Sequence, residues 1–339
     1  MITLFKNKKF DFNSKFNRMA TVSVSFIFIG LVFFFFKGFQ LGLSFSGGAE
    51  LIVNFSQYNG DDVNVEKKLT EFLNENDFEY SKLRLFGANE IILTMPYSEN
   101  KWINEINEDL NGDGKLDSFC SNDFFTNKDD CRAGLTEDDI RKALQSETKF
   151  ILTSFEGTSG EISQEARLKA IQAVGIAMLL IGFYIIIRFD WYSAIGSVVA
   201  LIHDILIVAS TLIAFGYTFD ENIVAAFLII IGYSLNDTIV VFDRARENIS
   251  NYSNMELVDI INLSLNETLN RTVITSVTTL FVVITVFIFG GKSLESSSFS
   301  LMIGIVSGTY SSIFIATPIM MFLRNKYYTE QNEKEEQWQ

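Results

Sequence analysis

The residues best suited to chemistry are acids and one histidine set inside apolar sequence. Asn236 and Asp237 lie about fourteen residues into an apolar run from Ile223 to Phe242, and His203 and Asp204 fall near the middle of another. At about 1.5 Å per residue each run is long enough to cross a bilayer. An ionisable side chain at that depth costs a few kcal/mol and normally faces a partner or a water path. The chemistry open to such a carboxylate is uptake and release of a proton. His203 is the chain's one histidine, and histidine is the side chain that ordinarily changes charge near neutral pH, which suits a relay. For each of these groups the plainer alternative is a hydrogen bond that ties two helices together. Arg271 opens a further apolar run. If its guanidinium reaches Asp237, the two form an ion pair that a proton or a helix movement would break.

Three other patterns carry weaker signals. Thr272, Thr275, Ser276 and Thr279 form one hydroxyl stripe at helical spacing, and Gly304, Gly308, Ser311 and Ser312 form a stripe of small residues. Both patterns read first as close helix packing. Asp109, Asn111 and Asp113 with Gly114 and Asp117 put oxygen ligands at positions 1, 3, 5 and 9 of a calcium loop, with glycine at position 6. That spacing lets alternate side chains converge on one hard cation. Position 12 is Cys120 instead of the bidentate glutamate, so the set is incomplete, and a solvated Asx/Gly turn is the alternative. Cys120 and Cys131 would pair in an oxidising compartment or stand as two isolated thiols.

Six apolar runs must position these groups. The first, Met19 to Phe36, is too long for a signal-peptide core and reads as a retained helix. Five more span about 168–187, 193–215, 222–242, 272–290 and 298–322. The net charge of −14 is concentrated: residues 41–166 hold 25 acidic and 11 basic side chains, and the rest of the chain balances. An acidic, water-exposed domain is therefore spliced into a near-neutral membrane protein. Lys6, Lys8, Lys9, Lys15 and Arg18 hold the N-terminus in the cytoplasm by the positive-inside rule. Arg188, then Arg244, Arg246 and Arg271 flanking a longer amphipathic loop, and finally Arg324 with Lys326 mark the same side.

The resulting plan is a polytopic α-helical membrane protein with both termini cytoplasmic. Residues 1–18 are a cytoplasmic start, 19–40 the first helix, 41–166 a small external α/β domain, 167–323 helices two to six, and 324–339 a cytoplasmic tail. Within the external domain, Leu51 to Phe55, Leu83 to Phe86, Glu90 to Met95 and Phe150 to Phe155 read as strands. Val63 to Leu73 and the stretch opened by Thr136-Glu137-Asp138-Asp139 read as helices.

No Walker loop, Cys/His cluster, nucleophile elbow or basic-aromatic strip occurs, so enzymatic and nucleic-acid-binding classes are excluded as readings. No cofactor is required, so any energy input must come from an ion gradient or from a partner. The segment from Gly232 through Asn236, Asp237, Asp243 and Arg244 to Asn248 resembles the signature of the SecD/SecF family of bacterial protein-export membrane proteins, on the SecF side. Ala200 to Asp204, Leu269 to Ser276, Phe287 to Gly291 and Gly308 to Ile313 agree in order, as do Gly47 and Gly48 after the first helix.

The resemblance implies half of a resistance-nodulation-division-like transporter. It implies pairing with SecD, a place beside the SecYEG channel and YajC in the bacterial inner membrane, and use of the proton-motive force on unfolded exported polypeptides. Asp237 and Arg271 match the family's proton-path positions. The chain departs from the family at Ser44, where an Asp is usual, and in an insertion over about 100–132. A proton-coupled efflux half-transporter for small molecules or lipids is the alternative, because fold does not settle substrate.

Overall fold

A computed structural model describes residues 10–54, 67, 69–70, 82–86, 90–96, 151–158, 160–252 and 254–337. The calcium-loop residues Asp109, Asn111, Asp113 and Asp117, the pair Cys120 and Cys131, and the helix expected after Thr136 lie outside these. The chain forms two compact units: Met1–Gln40 with Ala170–Gln339, and Leu41–Lys169.

The first unit is built from α1 (Phe16–Lys37), α3 (Gly160–Arg188) from Ala170 onward, α4 (Trp191–Phe215), α5 (Glu221–Asn251), α6 (Leu257–Phe289), α7 (Lys292–Ser311) and α8 (Thr317–Gln337); the start of α3 and α2 (Leu43–Ser46), a single turn, belong to the other unit. Among the described residues six segments are long and apolar enough to cross a membrane, the last running from Leu294 to Tyr328 through both α7 and α8. Their ends follow local rules. The Asp220 side chain accepts the Ile223 N–H at 3.0 Å and caps α5. Gly216 adopts φ 75° and closes α4, a conformation that only glycine reaches at little cost.

Two features differ from the sequence expectation. The amphipathic loop expected between the fourth and fifth runs is helical: α5 continues to Asn251 and α6 begins at Leu257. Ala245, Ile261 and Leu265 on these extensions are buried with Phe12, Phe16 and Val241, so the extensions bury an apolar face and the helices continue. Two carboxamides complete the join. Asn266 accepts from the Phe10 N–H and donates to its carbonyl, both at 2.8 Å, and Asn262 accepts from the Phe12 N–H at 3.0 Å. The N-terminal strand of chain is thus held as if by a neighbouring β-strand.

The second difference is a wide turn, Ser312–Ala316, of π-helical form inside the last span. Pro318 follows two residues later and cannot donate to the carbonyl four residues back, so the helix opens there. Thr317 Oγ1 instead donates to the Ser312 carbonyl at 2.6 Å. Gly196 of α4 packs on this turn; a Cβ there would stand 2.6 Å from the Ala316 carbonyl oxygen.

The second unit carries a four-stranded antiparallel sheet, β1 (Gly48–Asn54), β2 (Lys82–Phe86), β3 (Glu90–Pro96) and β4 (Ile151–Thr158), in the order β2-β3-β1-β4. β1 is central, with Leu51 opposite Leu93 and a register shift against β4 at Ile52/Val53. Val53, Ile91 and Leu93 are buried, as is Leu69. Gly47 and Gly48, with φ of 71° and 119°, turn the chain from α2 into β1. A residue with a Cβ is strained at either angle.

Candidate functional site

Asp204 sits on α4 with no exposed surface. Its two oxygens collect donors from two other helices. Oδ1 accepts Ser307 Oγ at 2.6 Å, and Oδ2 accepts Ser234 Oγ at 2.7 Å and Ser311 Oγ at 2.8 Å. Ser234 belongs to α5; Ser307 and Ser311, four residues apart, share one face of α7. His203 Nδ1 lies 3.2 Å from Oδ1, and its ring stacks on Tyr310 at 5.9 Å. Tyr310 in turn donates to the Met19 carbonyl at 2.6 Å and accepts Ser23 Oγ at 2.9 Å, so this polar chain reaches α1. His203 Nε2 is buried without a hydrogen bond.

The serines reach Asp204 because α5 and α7 approach closely through small residues. A Cβ on Gly308 would fall 2.9 Å from Ser234 Cβ, and one on Gly304 would meet Ile230 at 2.4 Å. One turn further along, Thr238 and Ser312 hydroxyls meet at 2.9 Å.

Asp237 follows Ser234 by three residues and is 3 % exposed. The Ser276 hydroxyl of α6 stands against its carboxyl, and Arg271 is near enough to act on it electrostatically. Ser276 also meets Thr309 of α7 at 2.6 Å. Asp237 Oδ2, however, makes no hydrogen bond, and neither does Thr272 Oγ1, which is also buried. A buried carboxylate oxygen without a donor is costly, and in a native fold such an atom calls for an explanation.

Arg271 is exposed and does not pair with Asp237 through a direct ion pair. It lines a cavity of about 900 Å³ together with Arg244, Arg246, Glu247, Glu267 and Thr268. Charged contacts frame this cleft. Arg244 binds Glu267 and Glu247, each at 2.6 Å, Asn248 donates to Glu267 at 2.7 Å, and Arg188 meets Asp243 at 3.1 Å. Asp243 and Arg244 thus act at the cleft and are not part of the buried cluster. Asn236 and Gly232, one helical turn apart, are exposed on the outer face of α5, away from Asp237.

The structure therefore gathers His203, Asp204 and Asp237 with α6 and α7, leaves Arg271 at the edge, and turns Asn236 outward. Ser234, Ser307 and Ser311 are absent from the sequence-derived site. Ser307 shares a helical face with Ser311, but serine among Gly304 and Gly308 reads as packing. Nothing in the sequence shows that a carboxylate on another helix lies opposite. Among the described residues no group of three or more His, Cys, Asp or Glu side chains is arranged to hold a metal ion.

Six long apolar helices, with buried acids at mid-span and a small antiparallel sheet between the first two in sequence, fit a multi-pass helical membrane protein. Its residues 139–326 match the family model for the C-terminal part of the protein export membrane proteins SecD/SecF. The chain belongs to the SecD/SecF family. It is 33% identical over 327 residues to the protein translocase subunit SecF of Rhodothermus marinus, covering 95% of each chain. It is 43% identical over 186 residues to that of Rhodobacter capsulatus, covering 54% of this chain and 56% of the relative. Among solved structures it resembles SecDF, a translocon-associated membrane protein from Thermus thermophilus, with a TM-score of 0.75 and 26% identity. That match covers 96% of this chain and 40% of the longer SecDF polypeptide.

Proposed function

We propose that this chain is the SecF-type subunit of the Sec protein translocase, working with SecD to spend the proton-motive force on late translocation and release of polypeptides leaving SecYEG. The observation that carries the reading is Asp237: buried between α5 and α6, with one carboxyl oxygen lacking any donor. Such a group gains a partner when it takes up a proton or when a helix moves, so proton binding and helix packing are linked. With both termini in the cytoplasm, as the basic residues near Arg18 and Arg324 imply, the cleft holding Arg271 opens to the cytoplasm. It provides a polar route toward Asp237 from that side.

On this reading SecD supplies the other six helices, in the inner membrane, and the external domain of residues 41–166 acts on the unfolded emerging chain; YajC is a further neighbour. Protons are the only coupling ion needed. A weak calcium loop at Asp109, Asn111, Asp113 and Asp117, and a Cys120–Cys131 pair, belong to the same proposal as local stabilisers of the external domain. The experiment is release of a secreted reporter from cells or vesicles carrying Asp237→Asn, with and without a proton gradient, alongside SecD co-purification. Loss of the gradient-dependent part with assembly intact is expected. Unchanged release from an assembled complex overturns the proton-site assignment.

A further inference from the structure

Two buried carboxylates lie on adjacent helices, and their surroundings differ in kind. Asp237 has an oxygen with no donor. Asp204 has three serine hydroxyls at 2.6–2.8 Å and the His203 ring at 3.2 Å. We propose that Asp204 is a positioning residue: the hub of a serine clamp that ties α4, α5 and α7 together and sets the place of Asp237, without itself carrying the transported proton. The proposal rests on the reading of Asp237 given above.

The geometry supports the division of roles. The Ser234 and Ser311 hydroxyls donate to Oδ2 and the Ser307 hydroxyl to Oδ1, beside which His203 Nδ1 also stands, so both oxygens of Asp204 are already taken. A transported proton arriving there would have to displace one of these donors and turn its hydroxyl around. The grip on α5 is at Ser234, one turn before Asp237, and the Thr238–Ser312 contact at 2.9 Å holds the next turn. Ser312 also reaches the Ser234 carbonyl at 3.4 Å. Both contacts come from Ser312, where α7 runs into the π-helical turn, so the segment of α5 bearing Asp237 is held on either side of that residue. If the clamp held a mobile proton, the position of α5 would change with every turnover at a second point.

Asparagine keeps the shape and most of the hydrogen bonding: its oxygen accepts Ser307 and its amide donates to the Ser234 and Ser311 hydroxyls, which can also accept. Alanine keeps neither. In cells or vesicles containing the whole translocase, gradient-dependent reporter release should fall less than about fivefold in Asp204→Asn. Loss of two or more hydrogen bonds to a buried hub should lower it about tenfold or more in Asp204→Ala and in the double variant Ser307→Ala/Ser311→Ala.

An Asp204→Asn that abolishes gradient-dependent release, or an Asp204→Ala or serine pair that retains it, overturns the clamp. If the alanine variants fail to co-purify with SecD while Asp204→Asn assembles and works, the clamp is supported by that failure. Asp237→Asn is run beside them. If it retains full gradient-dependent release, the reading on which the clamp rests is overturned. If it is inactive together with Asp204→Asn, the clamp alone is overturned.

Discussion

The clamp depends on how closely α5 and α7 approach, and Gly308→Ala probes that distance. The added Cβ would stand 2.9 Å from Ser234 Cβ, 3.1 Å from its Oγ and 3.2 Å from its Cα. Carbon atoms settle at about 3.5–4.0 Å. Ser234 Cβ and Cα are fixed to the α5 backbone, and its Oγ is held by Asp204 at 2.7 Å, so no rotamer change relieves the clash. The helices must part by roughly 0.7 Å at this level to restore ordinary contact. Asp204 on α4 is bonded to both helices, to Ser234 at 2.7 Å and to Ser307 and Ser311 at 2.6 and 2.8 Å, so its bonds to one of them would then pass beyond the usual limit of about 3.0 Å for O–H···O.

Overpacking of this kind costs about 1–3 kcal/mol. Loosened bonds to Asp204 add to that. The assay is thermal unfolding of the purified chain in detergent, with reporter release measured in parallel. Gly304→Ala is a second overpacking probe, because its Cβ would stand 2.4–2.9 Å from Cδ1, Cγ1 and Cγ2 of buried, β-branched Ile230, which has little freedom to turn away. Gly232→Ala is the control, with no atom within 4 Å of its Cβ, and helix propensity favours alanine there by up to about 1 kcal/mol. Both Gly304→Ala and Gly308→Ala are expected to be less stable than Gly232→Ala, and only Gly308→Ala presses directly on a serine that Asp204 binds. A Gly308→Ala protein as stable and as active as the Gly232→Ala control refutes the reasoning.

Two further outcomes follow from local geometry. Asn266→Ala removes both bonds to the Phe10 backbone, and hydrogen exchange at the Phe10 and Phe12 amides should quicken by about tenfold or more, as expected for loss of about 1–2 kcal/mol of local hydrogen bonding. Unchanged protection would show that Phe12 and Phe16 packing alone holds the strap. Burial raises the Asp220 carboxyl above its ordinary value of 3.8 despite the Ile223 N–H it accepts. Its ionised form is therefore penalised in the folded state: the penalty is absent below about pH 3.8, grows between there and the raised folded-state value, and is full above it. Asp220→Asn, which keeps a capping oxygen, should be neutral or stabilising near pH 7, with any gain vanishing in acid. A loss of stability at neutral pH that is absent at low pH would contradict this sign.

The legible parts of this protein are those that depend on length and period along one segment. Six apolar runs give six spans, because a bilayer demands about twenty apolar residues whatever lies beside them. The strands Leu83–Phe86 and Glu90–Met95 likewise appear within β2 and β3. The boundaries between spans are less legible: apolar residues such as Ile261 and Leu265 extend α6 well outside its most hydrophobic stretch, because Phe12 and Phe16 lie against them. Composition could not show that this distant N-terminal segment returns there. The π-helical turn has one local sign, Pro318, and a helix can answer a proline with a kink or a break as readily as with a wide turn.

The site shows the same limit more sharply. Depth in an apolar run identifies Asp204 and Asp237 as equally costly, and nothing in either neighbourhood of sequence separates them. What separates them is which hydroxyls arrive from other helices. Ser234, Ser307 and Ser311 come from two segments more than seventy residues apart, and each alone is a small residue on a packing face. A single substitution to asparagine therefore tests different things at the two positions. At Asp204 it replaces one well-bonded group by another of the same shape, and at Asp237 it removes a carboxyl whose free oxygen is its distinguishing feature. If proton coupling depended only on having an acid buried at mid-span, the two asparagine variants would behave alike. The contrast between four polar neighbours and one unpartnered oxygen requires that they do not.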